Sequence, residues 1–210
     1  MSKYEKILIV ILFGSIMGAI ELFGGDFMGT LDISNKSAYL FALGLMLMIA
    51  SKLLIDFKGS IIIMVAIAAI YKTASANFYA CQVAAVMING VIFETSYLYL
   101  RNKIDSSLIW RSISAPIVAY ISYTFFALAA VYILKEAHWA ARGFDGIVEY
   151  LGSSAAIAGF VSIFTFNIGL FLGHRLRRIL ASDKPRLSLI YFRAVSIMIV
   201  IIIWFTGLES

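Results

Sequence analysis

Residues 7–25 have the sequence ILIVILFGSIMGAIELFGG, an apolar run that contains one charged side chain, Glu21. The hydrocarbon core of a bilayer requires about 20 apolar residues for each helical crossing, so this run is long enough to cross. Charged residues make up only 14% of the chain and hydrophobic residues 62%. The run and the composition together predict an integral membrane protein built from α-helices.

Six further apolar runs follow, separated by short polar breaks. None of these breaks is long enough to bury a core of its own, so we expect one all-α membrane domain over residues 1–210, a bundle of about seven transmembrane helices. The third run begins directly after Gly59 and carries Lys72 near its far end, which makes six crossings the alternative. The predicted spans are 7–25, 38–55, 59–76, 79–100, 113–134, 152–173 and 187–207.

Basic residues fall mostly on alternate loops, and this asymmetry predicts an orientation. With the N-terminus in the cytoplasm, all but four of the 17 lysines and arginines lie on the inner side, where short loops retain them. We therefore expect a multi-pass protein of the inner or plasma membrane with its C-terminus outside. The inner loops also account for the net charge of +5, so no nucleic acid partner is expected. The four outer residues are Lys36, Lys72, Lys135 and Arg142.

Several polar side chains fall inside the predicted spans, where an acid or base costs about 2.5–3.5 kcal/mol at the bilayer centre. Most of them lie in the outer half, and functional ionisable residues in membranes face cavities. One interpretation is a pocket for a small solute. The alternatives are hydrogen bonds that hold helices together and a proton relay. The candidate pocket residues are Glu21, Lys72, Asn77, Gln82 and Asn89.

The fourth predicted helix carries two distinct polar positions. Gln82 and Asn89 are seven residues apart and therefore share one face of the helix. Glu94 lies off that face in the inner half, and Arg101 on the same helix is only just within its reach. We therefore expect the partner of Glu94 to come from another helix.

Two features are candidate contacts for other subunits. Gly14 and Gly18 form a small-xxx-small pair, which lets helices approach closely, either within the chain or against a partner. Arg175, Arg177 and Arg178 follow the sixth span on the predicted inner side. There they attract anionic lipid or the acidic face of a partner.

Two predicted outer segments are candidate lids over the pocket. Residues 24–32 are rich in glycine and contain two acids, which predicts a mobile loop. Residues 135–151 carry apolar side chains at helical spacing, which predicts a short amphipathic helix in the outer interface. The alternative for both segments is an ordinary connection.

Signatures of catalysis and metal binding are absent from the sequence. It has no Gly-x-Ser-x-Gly, no His-Glu-x-x-His and no phosphate-binding loop, the patterns that would indicate a hydrolase, a zinc protease or a nucleotide site. The chain has one cysteine and two histidines, and the predicted topology puts the histidines on opposite sides. We expect no catalytic residue, metal or cofactor. A membrane enzyme that uses Cys81 or Glu94 is an alternative.

Together, several features resemble the substrate-binding S components of energy-coupling factor transporters. They are the chain length, the basic inner loops, Gly14 and Gly18 in the first helix, the outer segment 24–32, and the region from Lys52 to Glu94. The resemblance covers the first half of the chain. Typical members have six helices with both termini in the cytoplasm, whereas this sequence predicts seven.

The resemblance implies a small solute, such as a vitamin, bound near the outer face under a lid formed by residues 24–32. It also implies docking through Gly14 and Gly18 to a transmembrane coupling protein driven by ATPases. We therefore expect a solute-binding transport subunit that works with partner subunits. The alternative is a structural or scaffolding membrane subunit without a ligand.

Overall fold

The computed structural model describes residues 2–55, 57–73, 80–181 and 186–208, which form helices joined by short turns. No strand occurs among them, so the predicted all-α class is confirmed. Single π-helical turns at Ile20–Gly24, Ala129–Ile133 and Leu151–Ala155 continue α1, α6 and α7. The helices are α1 (Lys3–Ala19), α2 (Gly25–Thr30), α3 (Lys36–Leu54), α4 (Ser60–Thr73), α5 (Ala80–Ser106), α6 (Leu108–Leu128), α7 (Ala137–Tyr150), α8 (Ala156–Ala181) and α9 (Arg186–Leu208).

The bundle has the helix lengths of a multi-pass membrane protein. Two shorter apolar helices, Ser60–Thr73 and Tyr191–Gly207, accompany the longer ones. The 14 residues of α4 extend about 21 Å at 1.5 Å per residue, less than the hydrocarbon core of about 30 Å. The described part of the third predicted span is therefore shorter than a full crossing. Five segments are long and apolar enough to cross a membrane: Lys3–Thr30, Lys36–Leu54, Ala80–Ile104, Leu108–Ile133 and Ala137–Leu180.

Close glycine contacts give the relative directions of α1 and α4. A Cβ placed on Gly14 would meet Met64. A Cβ placed on Gly18, one turn further along α1, would meet Tyr71. Both helices therefore run in the same direction, as alternating crossings require of the first and third spans.

Two side-chain contacts fix α9 against α1. Arg193 Nη2 donates to Glu5 Oε1 at 2.6 Å, and Trp204 Nε1 donates to Ser15 Oγ at 2.9 Å. The two helices are therefore also parallel, so the chain termini lie at opposite ends of the bundle. The end that contains Glu5 and Arg193 is called the basic end, and the opposite end the distal end.

The centre of the bundle is α3, in which 72% of the apolar window is buried. Its main neighbour is α8, whose glycines allow the two backbones to touch. A Cβ on Gly169 would meet the backbone of Met46, and a Cβ on Gly173 would lie 3.0 Å from the Ala50 carbonyl oxygen. These two helices are parallel as well, which agrees with strict alternation of direction along the chain.

Gly14 and Gly18 are buried against α4, which corrects the expectation that they dock another subunit. A Cβ on Gly14 would lie only 2.7 Å from the Met64 carbonyl oxygen, so the glycine permits backbone contact inside the chain. The small-residue face is therefore used for internal packing, the alternative that the small-xxx-small pattern left open.

A larger side chain at this contact should destabilise the fold. We expect Gly14→Leu to lower the free energy of unfolding by about 1–3 kcal/mol, the usual cost of overpacking. Thermal unfolding in detergent measures the effect. Gly152→Leu is the matched control, because a Cβ on Gly152 meets nothing within 4 Å. Equal unfolding temperatures for wild type and Gly14→Leu would contradict the internal contact.

Residues 24–32 are mostly helical, which corrects the prediction of a mobile loop. The π turn and α2 continue α1 as far as Thr30. Glycine costs about 1 kcal/mol in a helix, but here it allows close packing, since a Cβ on Gly24 would lie 3.1 Å from Leu40 Cδ2 on α3. The chain turns only afterwards, at Asp32 and Asn35, which both have positive φ.

The amphipathic helix predicted within residues 135–151 is present as α7. Glu136 caps it by accepting a hydrogen bond from the backbone N–H of Trp139 at 3.1 Å. Ile147 is buried, whereas Phe144 and Val148 are exposed. The helix bends at Gly143, whose φ of 57° and ψ of −143° are not helical.

Candidate functional site

A cavity of about 510 Å³ lies at the distal end of the bundle. This volume is within the range of roughly 300–1,000 Å³ that is typical of small-molecule sites. The π turn after α1 and the helices α2 to α7 all contribute side chains to its wall. Its mouth is marked by Asp26, Lys36 and Ser37, which are exposed. The cavity is therefore an open site formed by most of the bundle.

Four of the five sequence-predicted pocket residues line this cavity. Glu21, Lys72, Gln82 and Asn89 come from three separate parts of the chain, and all four line the cavity. The fifth, Asn77, lies outside the described residues. The polar positions that are costly in a bilayer are therefore brought together at one place.

An ion pair lies in the wall of the cavity. Lys72 Nζ is 3.1 Å from Glu21 Oε2, and the two side chains are only 10% and 12% exposed. Burial of either charge alone would be costly, so each neutralises the other. The remaining charged lining residues, Asp26 and Lys36, also have opposite signs. Among the described lining residues, the positive and negative charges therefore balance.

One face of α5 supplies the neutral polar groups. Gln82, Val86 and Asn89 are spaced by four and three residues, so they project from the same side of the helix towards the cavity. In the part of the chain that the structure describes, the amides of Gln82 and Asn89 have no hydrogen-bond partner. Asn89 is also buried, with 9% exposure. Their donors and acceptors are thus available to a bound molecule.

Four aromatic residues that the sequence did not point to also line the cavity. Tyr123 stacks on Tyr150 with ring centroids 5.0 Å apart, and Phe41 meets Tyr123 edge to face at 5.4 Å. Phe126 packs beside Tyr150 at 6.1 Å. Tyrosines near span ends are common as membrane anchors, so position alone could not mark these rings as a site.

The hydroxyl of Tyr123 is buried in the cavity wall without a hydrogen-bond partner. Tyr123 is only 4% exposed. Ser37 is near enough to influence this hydroxyl, but no hydrogen bond of acceptable geometry joins the two side chains. A buried polar group without a partner costs about 1–3 kcal/mol, and this hydroxyl is also closed to water, so the cost belongs to the packing behind the cavity wall.

The three π-helical turns all occur at the distal end. Ile20–Gly24 contains Glu21, Ala129–Ile133 follows the last cavity residue of α6, and Leu151–Ala155 follows Tyr150. Such turns are frequent at functional sites, because the extra residue redirects side chains. The π turn after α1 gives the cavity both Glu21 and Leu22.

A second buried ion pair lies at the basic end and is separate from the cavity. Lys52 Nζ on α3 is 2.6 Å from Glu94 Oε1 on α5, and both side chains are 4% exposed. Glu94 also accepts hydrogen bonds from the backbone N–H groups of Gly59 at 2.9 Å and Ile61 at 3.3 Å. The expected partner from another helix is therefore Lys52, and Glu94 also caps the start of α4.

The predicted docking arginines are at the basic end. Arg175, Arg177 and Arg178 are exposed on the last turns of α8, so their charges are accessible to lipid headgroups or a protein. Among the residues that the structure describes, none covers these three side chains, in contrast to Gly14 and Gly18.

The residues considered for catalysis lie apart from each other. Cys81 lines the cavity and is partly exposed. Glu94 is held by Lys52 at the basic end, so it cannot act together with Cys81. Within the described ranges, no three His, Cys, Asp or Glu side chains are grouped as metal ligands.

Comparison with known proteins gives no further assignment. No family model, no curated protein and no solved structure matches this chain.

Proposed function

We propose that this protein is the solute-binding subunit of a membrane transporter and that the distal cavity holds the solute. The observation that carries the proposal is that the amides of Gln82 and Asn89 line that cavity and have no hydrogen-bond partner among the residues that the structure describes. Groups that only held helices together would be bonded to a neighbouring helix. Their position in a cavity of small-molecule size favours binding over a purely structural role.

In this proposal the basic end faces the cytoplasm and the cavity opens to the outside. The support is the excess of lysine and arginine at the basic end, where short cytoplasmic loops retain them. Because α1 and α9 are parallel, the same orientation leaves the C-terminus outside. The solute would then enter from the external medium.

Transport would require partner subunits. The sequence contains no phosphate-binding loop, so the energy for uptake would come from a coupling protein with ATPases, as the resemblance to S components implies. Arg175, Arg177 and Arg178 are exposed at the proposed cytoplasmic end, and they form the contact surface in this proposal. The contact would be electrostatic and would weaken as the salt concentration rises.

The single cysteine provides a direct test, since Cys81 lies in the cavity wall. We expect a membrane-impermeant maleimide added to intact cells to label Cys81, because the thiol is reached through the cavity mouth. An excess of the native solute, added as an extract of small molecules from the growth medium, should slow the labelling. Mass spectrometry of the purified protein measures the labelled fraction over time.

The control is the variant Cys81→Ser with Ser107→Cys, which moves the cysteine to the turn between α5 and α6 at the basic end. It should be labelled only after the cells are opened. Labelling of Cys81 only in opened cells would reverse the proposed orientation. Labelling from outside that no extract slows would contradict a solute site.

A further inference from the structure

We propose that the solute is a zwitterion of the α-amino acid class, which carries a carboxylate and an ammonium group on the same carbon atom. This inference rests on the proposed function and specifies the ligand of the same cavity. It combines two charges of opposite sign in the cavity lining, the start of α3 beside one of them, and a buried amide that has no partner.

Two charged side chains of the lining are available to a ligand. Glu21 and Lys72 neutralise each other at 3.1 Å. Asp26 and Lys36 also line the cavity, but within the described residues neither of them takes part in an ion pair. Both are exposed and can therefore be reached from the mouth. The lining thus offers one carboxylate and one ammonium group that a bound molecule can neutralise.

The packing of Lys36 on α2 places these two charges near each other. A Cβ on Gly29 would lie 3.6 Å from Lys36 Nζ, so the ammonium group lies beside α2. Asp26 precedes Gly29 by three residues in this helix. Cβ atoms at that spacing are about 5–6 Å apart, which puts the Lys36 ammonium within about 10 Å of the Asp26 Cβ. A zwitterion can pair with both side chains, whereas a simple anion or cation would bring a like charge close to one of them, which is unfavourable.

The start of α3 adds donors for the carboxylate of the solute. Asn35 precedes this helix of 19 residues, but its side chain makes no capping hydrogen bond, whereas its Oδ1 accepts from Ser154 Oγ at 2.7 Å. The first backbone N–H groups of α3 therefore have no side-chain acceptor, and such groups attract anions. Lys36 and Ser37, the first two residues of α3, both line the cavity. A carboxylate can thus accept hydrogen bonds at this point and pair with the Lys36 ammonium.

The separate evidence for a ligand is Asn89, because a helix start and exposed charges can be occupied by water alone. The Asn89 side chain lines the cavity, is 9% exposed and has no hydrogen-bond partner among the described residues. Its amide is also not closed to water, unlike the Tyr123 hydroxyl. A buried amide without a partner is costly, so it indicates a polar group of the solute that bonds to it from the cavity.

Chemically matched derivatives test the two charges on the purified protein, which is dialysed and held in nanodiscs. Isothermal titration calorimetry first measures the binding of each standard L-amino acid at millimolar concentration. The strongest binder is then compared with its carboxamide, which lacks the carboxylate, and with its N-acetyl derivative, which lacks the ammonium group. We expect at least one amino acid to bind, and both derivatives to bind about tenfold more weakly, the usual effect of losing a hydrogen bond to a charged group.

Two variants assign each charge of the solute to a side chain. Lys36→Gln should weaken the amino acid about tenfold and leave the affinity for the carboxamide unchanged, since the carboxamide has no carboxylate. Asp26→Asn should weaken the amino acid about tenfold and leave the affinity for the N-acetyl derivative unchanged. Lys58→Gln and Asp145→Asn are the matched controls with wild-type affinity, because both residues are exposed and neither lines the cavity. All four replaced side chains are exposed, so the unfolding temperatures should match the wild type.

Equal affinity for the carboxamide or for the N-acetyl derivative would overturn the zwitterion. Unchanged affinity for the amino acid in Lys36→Gln or in Asp26→Asn would overturn the binding of its charges by these side chains. No binding of any amino acid would overturn the ligand class. A native solute of different chemistry found bound to the protein would also overturn this inference but leave the proposed function intact. Absence of any bound solute would remove both.

Discussion

Glu94→Leu is expected to lower the free energy of unfolding by about 3–5 kcal/mol, the cost of leaving a buried charge without its partner. The reason is the position of Lys52, whose side chain is 4% exposed and whose ammonium lies 2.6 Å from the Glu94 carboxylate. The substitution also removes the acceptor for the first backbone N–H groups of α4. Thermal or denaturant unfolding in detergent measures the loss.

The double variant Lys52→Met with Glu94→Leu separates these two contributions. Removing both charges should recover most of the loss, because a buried pair replaced by apolar side chains is often neutral. The missing helix cap should leave a deficit of about 1 kcal/mol. Glu149→Leu is the matched single control, since Glu149 is exposed on α7. If Glu94→Leu unfolds at the wild-type temperature, the pair does not hold α3, α4 and α5 together.

The second large effect is expected on solute binding. Lys72→Met leaves Glu21 without its partner in the cavity wall and should weaken binding of the solute at least 30-fold. This corresponds to about 2 kcal/mol, the lower limit for truncating one member of a buried charge pair. The measurement is the solute content of purified protein, determined by mass spectrometry after denaturation.

Lys58→Met is the control for this variant, because Lys58 is an exposed lysine at the basic end. Its solute content should equal that of the wild type. Lys72→Met must also elute as a folded monodisperse protein, so that loss of solute is not loss of structure. Equal solute content in the two variants would show that the Glu21–Lys72 pair has no part in binding.

Much of the fold could be predicted from local sequence. Hydropathy was sufficient to predict the apolar helices, because a bilayer requires long apolar segments whose backbone groups are hydrogen-bonded within the segment. The helical spacing of the apolar residues in 135–151 was sufficient to predict α7. Residues 24–32 were predicted wrongly, because glycine was taken as a sign of flexibility. At Gly24 it permits close contact with Leu40 instead, a property that depends on the neighbouring helix.

Which helices contact each other could not be predicted from the sequence. Gly14 and Gly18 form a face that fits another helix equally well within the chain or outside it, and only the structure shows that α4 covers it. The partner of Glu94 could not be identified for the same reason. The sequence indicated a partner on another helix, but not which of several inner-side lysines would lie within hydrogen-bond distance of the Glu94 carboxylate.

Part of the candidate site could be predicted, because some of its residues are unusual in a membrane helix. Polar groups are costly in a membrane, and this cost identified four candidates in the sequence: Glu21, Lys72, Gln82 and Asn89. Tyr123 was not noticeable, because the chain has 11 tyrosines and 16 phenylalanines and aromatic residues are ordinary in membrane helices. What distinguishes Tyr123 is its place in the cavity wall between Phe41 and Tyr150, which is a property of the packed structure.

Native mass spectrometry of the protein purified from its own membranes in mild detergent measures whether the cavity holds a solute. We expect one small molecule bound per chain in the wild type and in Lys58→Met, and no bound small molecule in Lys72→Met. A wild-type protein that is folded and carries no small molecule would contradict a solute site, and the Glu21–Lys72 pair would then be a structural contact between helices.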